Sequence, residues 1–173
     1  LQEAIEKITE LKAQPVGKSI VWHYIGSIQR NKTRDIAEHF DWMHSLDRIK
    51  IAQRLHEQRS VHQQALNVCV QINIDDEQNK AGIPPSQTFD FIEQLQSFDR
   101  IKCRGLMTIP KANVSETERR TSFAKTHDLY EQCVRKFDNI DTLSMGMSDD
   151  LSIAIEYGST VVRVGTAIFG SRN

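Results

Sequence analysis

Two hydrophobic periods alternate along this chain, and the switches between them mark out a repeating order of elements. Residues 1–13 place Leu1, Ala4, Ile5, Ile8 and Leu11 at helical spacing with charges between them, which predicts an amphipathic helix. After Pro15 and Gly17, residues 19–26 are rich in β-branched and aromatic side chains and predict a strand. The polar run 31–40 predicts the helix behind it. Next come a short strand over 42–46, a helix over 47–58 with Asp47 as its N-terminal cap, and a third strand over 67–74. The Pro84-Pro85 pair opens a helix with Phe91, Leu95 and Phe98 on one face, and residues 101–109 form strand four. Ser115 and Glu118 have the spacing of a capping box. They start a long helix to Phe137, with Phe123, His127, Tyr130, Val134 and Phe137 along one side. Strand five covers 142–145, Ser148 caps a short helix ending at Gly158, and strand six covers 160–164, ahead of Gly165-Thr166-Ala167.

Six strands, each followed by a helix, predict an α/β fold with a parallel sheet covered by helices, because parallel crossovers require them. An open doubly wound sheet and a closed (β/α)8 TIM barrel both meet that description. The open sheet calls for a Gly-rich phosphate turn after its first strand, and neither GxGxxG nor GxxxxGK[ST] occurs. The barrel is the better match, as one domain over residues 1–173. Since a barrel takes eight strands and this chain opens on a helix with six to follow, the first two strands and one helix are expected to lie ahead of Leu1. Such a fragment exposes two edge strands and part of its core.

Composition narrows the function classes. With 39% hydrophobic and 26% charged residues the chain has a globular make-up, and a net charge of -1 from 22 basic and 23 acidic residues argues against nucleic-acid or anionic-membrane partners. No apolar run approaches the roughly 20 residues of a membrane span, and no secretory signal pattern is present. Cys69, Cys103 and Cys133 lie far apart without a CxxC pair and read as buried or inert thiols, which fits a reducing, cytoplasmic setting. The histidines His39, His44, His56 and His62 show no metal-ligand spacing, and His127 lies on an apolar helix face, so no metal site is predicted. Arg30-Asn31-Lys32-Thr33-Arg34 reads as a solvated helix start.

In β/α barrels ligands sit at the C-terminal ends of the strands, and phosphate is often held by the last two loops. Here those loops are Met145-Gly146-Met147-Ser148-Asp149-Asp150 and Gly165-Thr166-Ala167. Each combines a glycine with a hydroxyl side chain, and together they outline a cup of backbone N–H groups with Ser148 and Thr166 as side-chain donors. Either loop alone reads equally well as a helix cap or a turn. Asp149 and Asp150 would repel a phosphate unless their side chains point away. Arg163, within Val161-Val162-Arg163-Val164, is a charge in a covered strand and needs an acceptor, either a ligand heterocycle nitrogen or a structural ion pair. His23 is the other strand residue that can face the barrel interior.

Several runs now fit together: residues 22–32 (WHYIGSIQRNK), 71–74 (QINI) with Lys80-Ala81-Gly82, 104–110 (RGLMTIP), 143–150 (LSMGMSDD), and Gly158-Ser159-Thr160 through Phe169-Gly170. In this order and spacing they resemble the pyridoxal phosphate homeostasis protein family, whose members are similar to the barrel domain of alanine racemase. The resemblance implies a cytoplasmic barrel, monomeric or weakly dimeric, that holds pyridoxal 5'-phosphate. It implies a part in balancing the free cofactor with amino- and keto-acid pools, without established catalysis. Carried over by position, Ser148 and the Met147 amide would hold the phosphate with Gly165 and Thr166, and Arg163 would face the pyridine nitrogen; His23 joins the candidate cofactor-binding residues on its strand position alone. The family's Schiff-base lysine follows the first strand of its barrel, which is expected upstream of Leu1. Lys18, Lys32, Lys80 and Lys111 do not match its position. A racemase-like enzyme would need a second acid or base from an additional domain, and a phosphosugar enzyme would need carboxylates at the strand ends, where only Asp75 and Asp76 come near. A scaffolding module without a small ligand is the remaining alternative.

Overall fold

The computed structural model of the protein describes residues 1–78 and 80–170, without the side chains of Val16 and Lys18. Helix α1 (Gln2–Lys12) leads into six units: β1 (His23–Tyr24) and α2 (Thr33–His39), β2 (Trp42–Leu46) and α3 (Ile49–Gln58), β3 (Leu66–Ile72) and α4 (Thr88–Leu95), β4 (Ile101–Thr108) and α5 (Glu116–Lys136), β5 (Thr142–Met147) and α6 (Leu151–Glu156), β6 (Val161–Arg163) and α7 (Thr166–Phe169). The strands form one sheet in chain order, every neighbour parallel. A doubly wound sheet reverses its order at a switch point, and this one does not.

The sheet is curled. In a flat sheet, three spacings of about 4.8 Å would hold β2 and β5 roughly 14 Å apart. Yet His44 on β2 and Ser144 on β5 bond side chain to side chain at 2.8 Å. The arrangement is that of a barrel wall, in which, among the described residues, β1 pairs only with β2 and β6 only with β5.

Strand alternation divides the interior in two. Val68, Val70 and Ile72 of β3, Leu106 of β4, and Leu143 and Met145 of β5 join one apolar cluster with Ile36 and Ala37 of α2, Leu55 of α3, Ile92 and Leu95 of α4, and Phe123 and Cys133 of α5. Each such large side chain taken out of water contributes roughly 1.5–3 kcal/mol before entropy is charged, which fixes the helices on the convex face. The intervening residues Cys69, Gln71, Met107 and Ser144 are just as buried but lie outside that cluster. They line the concave face, which is therefore partly polar.

The capping box at Ser115 and Glu118 forms in both directions and starts α5. Several other expectations are corrected. β1 is two residues long, because Trp22 is already committed to the loop before β2, giving its N–H to Asp41 Oδ2 and its carbonyl to the amides of Asp41 and Trp42. Asp47 does not cap α3, whose N-cap is Arg48; the Asp47 carboxylate instead accepts from Arg48 Nε at 2.9 Å and from the Gly82 amide at 3.3 Å. Phe98 falls beyond the end of α4. Val134 on α5 is exposed, and Leu129 and Cys133 take the buried positions beside it.

Candidate cofactor site

At the C-terminal ends of β1, β5 and β6 a cavity of about 550 Å³ opens, lined by His23, His44, Met147, Arg163 and Gly165 together with apolar neighbours. Its floor is a chain of side chains contributed by four strands. His23 Nδ1 lies 2.8 Å from His44 Nε2, His44 Nδ1 lies 2.8 Å from Ser144 Oγ, and Arg163 Nη1 donates to the same Oγ at 2.8 Å. Arg163 Nη2 donates to the Thr108 carbonyl at 2.9 Å.

Arginine can only donate, so it fixes one end of this chain and leaves two consistent proton arrangements. In one, Ser144 donates to His44, which donates through Nε2 to His23. In the other, His23 donates to His44, which donates through Nδ1 to Ser144. His44 is neutral in both. Burial, then the neighbouring His23 and the Arg163 charge, push its pKa down from 6.5 to about 4. Burial also lowers the pKa of His23, opposed by Asp41. The His23 ring stacks on Trp42, with centroids 5.3 Å apart and planes 10° apart, so the chain ends on a held, exposed imidazole.

Arg163 is only 8% exposed, and its acceptors are the Ser144 hydroxyl and the Thr108 backbone carbonyl. Burial lowers its pKa, offset by Asp150 and Cys69, yet a guanidinium stays charged at neutral pH. Among the described residues Arg163 forms no ion pair, and a buried guanidinium with neutral acceptors leaves a positive potential at the cavity.

Ser148 sits differently from the expectation. The N-cap of α6 is Asp150, without a side-chain cap bond, and Ser148 Oγ instead turns towards the other loop, near the amides of Gly165 at 3.3 Å and Ala167 at 3.4 Å. The two loops therefore converge on this hydroxyl. A Cβ added at Gly165 would meet nothing within 4 Å, so the backbone there is open to an approaching group. Thr166 is the exposed first residue of α7. The Met147 amide, expected as a phosphate donor, gives its N–H to Asp150 Oδ1 at 2.6 Å. Asp150 is buried and paired with Arg119 at 2.6 Å, which offsets its charge.

Sequence reasoning missed His44 and Ser144. The available signal was a polar residue flanked by apolar ones inside a strand, as in Leu143-Ser144-Met145. The three cysteines are free, with pKa values raised by burial, Cys103 to about 12 and Cys133 to about 11, as inert thiols should be. Among the described residues no group of metal-binding side chains occurs, and no helix is long and apolar enough to cross a membrane.

The family model for the N-terminal domain of alanine racemase matches residues 1–173. The chain is 49% identical over 175 residues to the pyridoxal phosphate homeostasis protein of Haemophilus influenzae, covering 100% of this chain and 73% of that protein. The namesake from Escherichia coli strain K12 is 44% identical over 174 residues, with 100% and 74% covered. Among solved structures, PipY of Synechococcus elongatus PCC7942 superposes with a TM-score of 0.88 without PLP, at 34% identity over 98% of this chain and 78% of that one. With PLP bound it superposes at 0.85. Alanine racemase from Clostridium difficile 630, 17% identical with a TM-score of 0.74 over 96% of this chain and 43% of its own, shares the fold. The chain belongs to the pyridoxal phosphate homeostasis protein family, built on the alanine racemase N-terminal fold.

Proposed function

We propose that this protein holds pyridoxal 5'-phosphate in the cavity between β1, β5 and β6, in the service of cofactor homeostasis and the linked amino- and keto-acid pools, without turnover of its own. The observation that carries this reading is Arg163, a buried cation with neutral partners that opens onto the cavity. In this reading Ser148, Gly165 and Thr166 take the phosphate, Arg163 faces the heterocycle nitrogen, and His23 borders the ring. The Met147 amide, bonded to Asp150 Oδ1 in this structure, is the further donor to the phosphate in this reading.

When bound, the cofactor supplies an electrophilic aldehyde conjugated to an electron-withdrawing ring. Arg163 has no proton to release at neutral pH and so leaves a facing nitrogen unprotonated, which weakens the ring as an electron sink. That chemistry suits a carrier better than a decarboxylase or racemase. The serine at the junction of the two loops orients the anion, and the apolar wall of Ile25, Ile109 and Val162 keeps water from the ring. No lysine lines the cavity, so among the described residues the hold is non-covalent. A cytoplasmic monomer or weak homodimer completes the proposal, and the PipY structure with PLP bound supports the cofactor assignment.

The test is an absorbance titration of the chain with pyridoxal phosphate, with pyridoxal and inorganic phosphate as comparisons, followed by borohydride reduction and peptide mapping. Saturable binding that needs the phosphate and leaves no reduced adduct on this chain's lysines is the expected result. Failure to saturate, or equal binding of unphosphorylated pyridoxal, would overturn it.

A further inference from the structure

The basic residues at the start of α2 do more than solvate a helix end. Arg30, from the loop after β1, meets Arg48 and Lys50, at the start of α3, and Arg54, one turn further along it, around a second cavity of about 450 Å³. The one acid in its lining is Glu57, which is engaged by Gln53 Nε2 at 2.9 Å. Two of the guanidinium groups are braced from behind. Arg48 is fixed by the Ile28 carbonyl at 2.7 Å and by Asp47, and Arg54 Nε donates to Thr33 Oγ1 at 3.2 Å, whose hydroxyl in turn donates to the Arg30 carbonyl at 3.2 Å.

Neutralisation of these charges from within the protein is incomplete. The neighbouring Arg34 is matched by Glu38 one turn along, whereas Arg30, Lys50 and Arg54 form no ion pair among the described residues. Basic residues in the first turn of a helix also oppose its dipole, and α3 has no acid there to compensate. Three cations without an ion pair among the described residues, gathered beside Arg48 in one concavity, therefore repel one another until an anion joins them.

We infer that this concavity is a second binding site, separate from the cofactor cavity, for a small polyanion of the phosphate-ester class. Guanidinium groups recognise phosphate through paired N–H donors, and Arg54 and Arg48 are braced through one edge so that further donors remain. The small concavity and the chain's net charge of -1 fit a small molecule and not a nucleic acid.

The experiment is a calorimetric titration of the full chain with inorganic pyrophosphate at low and high salt. The parent would be run beside Arg30→Glu/Lys50→Glu and beside Ser148→Asp, which places a negative charge at the cofactor cavity. The expected result is saturable binding that survives in Ser148→Asp, weakens with salt, and loses at least about tenfold in affinity in the double variant. Among the described residues neither the Arg30 nor the Lys50 side chain makes a hydrogen bond or ion pair, so the double variant should unfold at the parent's midpoint. If it does not, Arg30→Gln/Lys50→Gln replaces it in the same comparison. Absence of saturable binding, equal affinity in the charge-altered variant, or loss only in Ser148→Asp would overturn the inference; the last outcome would place the anion at the cofactor loops instead and leave the cofactor proposal standing.

Discussion

His44 and Ser144 stand a hundred positions apart in the chain and 2.8 Å apart in the fold, Nδ1 against Oγ, both without solvent exposure. This contact ties the front of the curled sheet to its back and passes on to Arg163 through the same hydroxyl. The curl and the polar floor of the cavity are thus one feature.

His44 should make the fold acid-sensitive. Its pKa falls from 6.5 to about 4 on folding, so between those values the unfolded chain binds more protons. The contribution is fully present above pH 6.5 and is lost as pH falls towards 4, by an amount of the order of 3 kcal/mol. Urea midpoints at about pH 7.5 and about pH 4.5 should differ more in the parent than in His44→Gln, where carboxylate effects remain and the imidazole is gone. Parallel pH dependence in the two proteins would remove His44 from this account.

Arg163→Ala should lower affinity for pyridoxal phosphate at least about tenfold, because the buried donor fork is lost. It should also cost about 1–3 kcal/mol of stability, since Ser144 Oγ and the Thr108 carbonyl lose their donor. Arg163→Lys keeps the charge but not the fork and should fall between. Absorbance titration and thermal midpoints read the two effects separately, and unchanged affinity in the alanine variant would count against the site.

Gly146 is held at φ +93, and a Cβ there would lie 2.5 Å from Ala154 Cβ and 3.3 Å from Leu151 Cα. Gly146→Ala should therefore displace α6 from β5 and destabilise by more than about 2 kcal/mol through strain and overpacking. Chemical denaturation measures the loss, and a stability within error of the parent would mean that the turn tolerates a side chain.

Asp150→Ala removes both the Arg119 partner and the acceptor of the Met147 amide. With one partner of a largely buried pair gone, stability should drop by about 3 kcal/mol. Arg119→Ala in the same chain should restore part of it, a coupling that a double-mutant cycle reads directly. Strict additivity would place the Asp150 effect elsewhere.

Local chemistry made much of this fold legible. Ser115 and Glu118 announced the start of α5, and period-2 runs located five strands within a few residues. Asp47 and Ser148 misled for a common reason, since each has the composition of a cap while a longer-range partner, the Gly82 amide or the second loop, takes its side chain. Arg163 stood out as a charge in an apolar strand. His44 did not, because a histidine in a two-sided buried strand carries no mark of which face it occupies.

The sequence by itself determined the order of strands and helices, the parallel sheet and the two glycine and hydroxyl loops, because these depend on periodicity and turn chemistry within a few residues. Only the tertiary structure decided that His23, His44, Ser144 and Arg163 form one connected chain and that Asp150 claims the Met147 amide. The physical reason is the curl of the sheet, which brings side chains from β1, β2, β5 and β6 within hydrogen-bond distance and has no signature in the local pattern of any one strand.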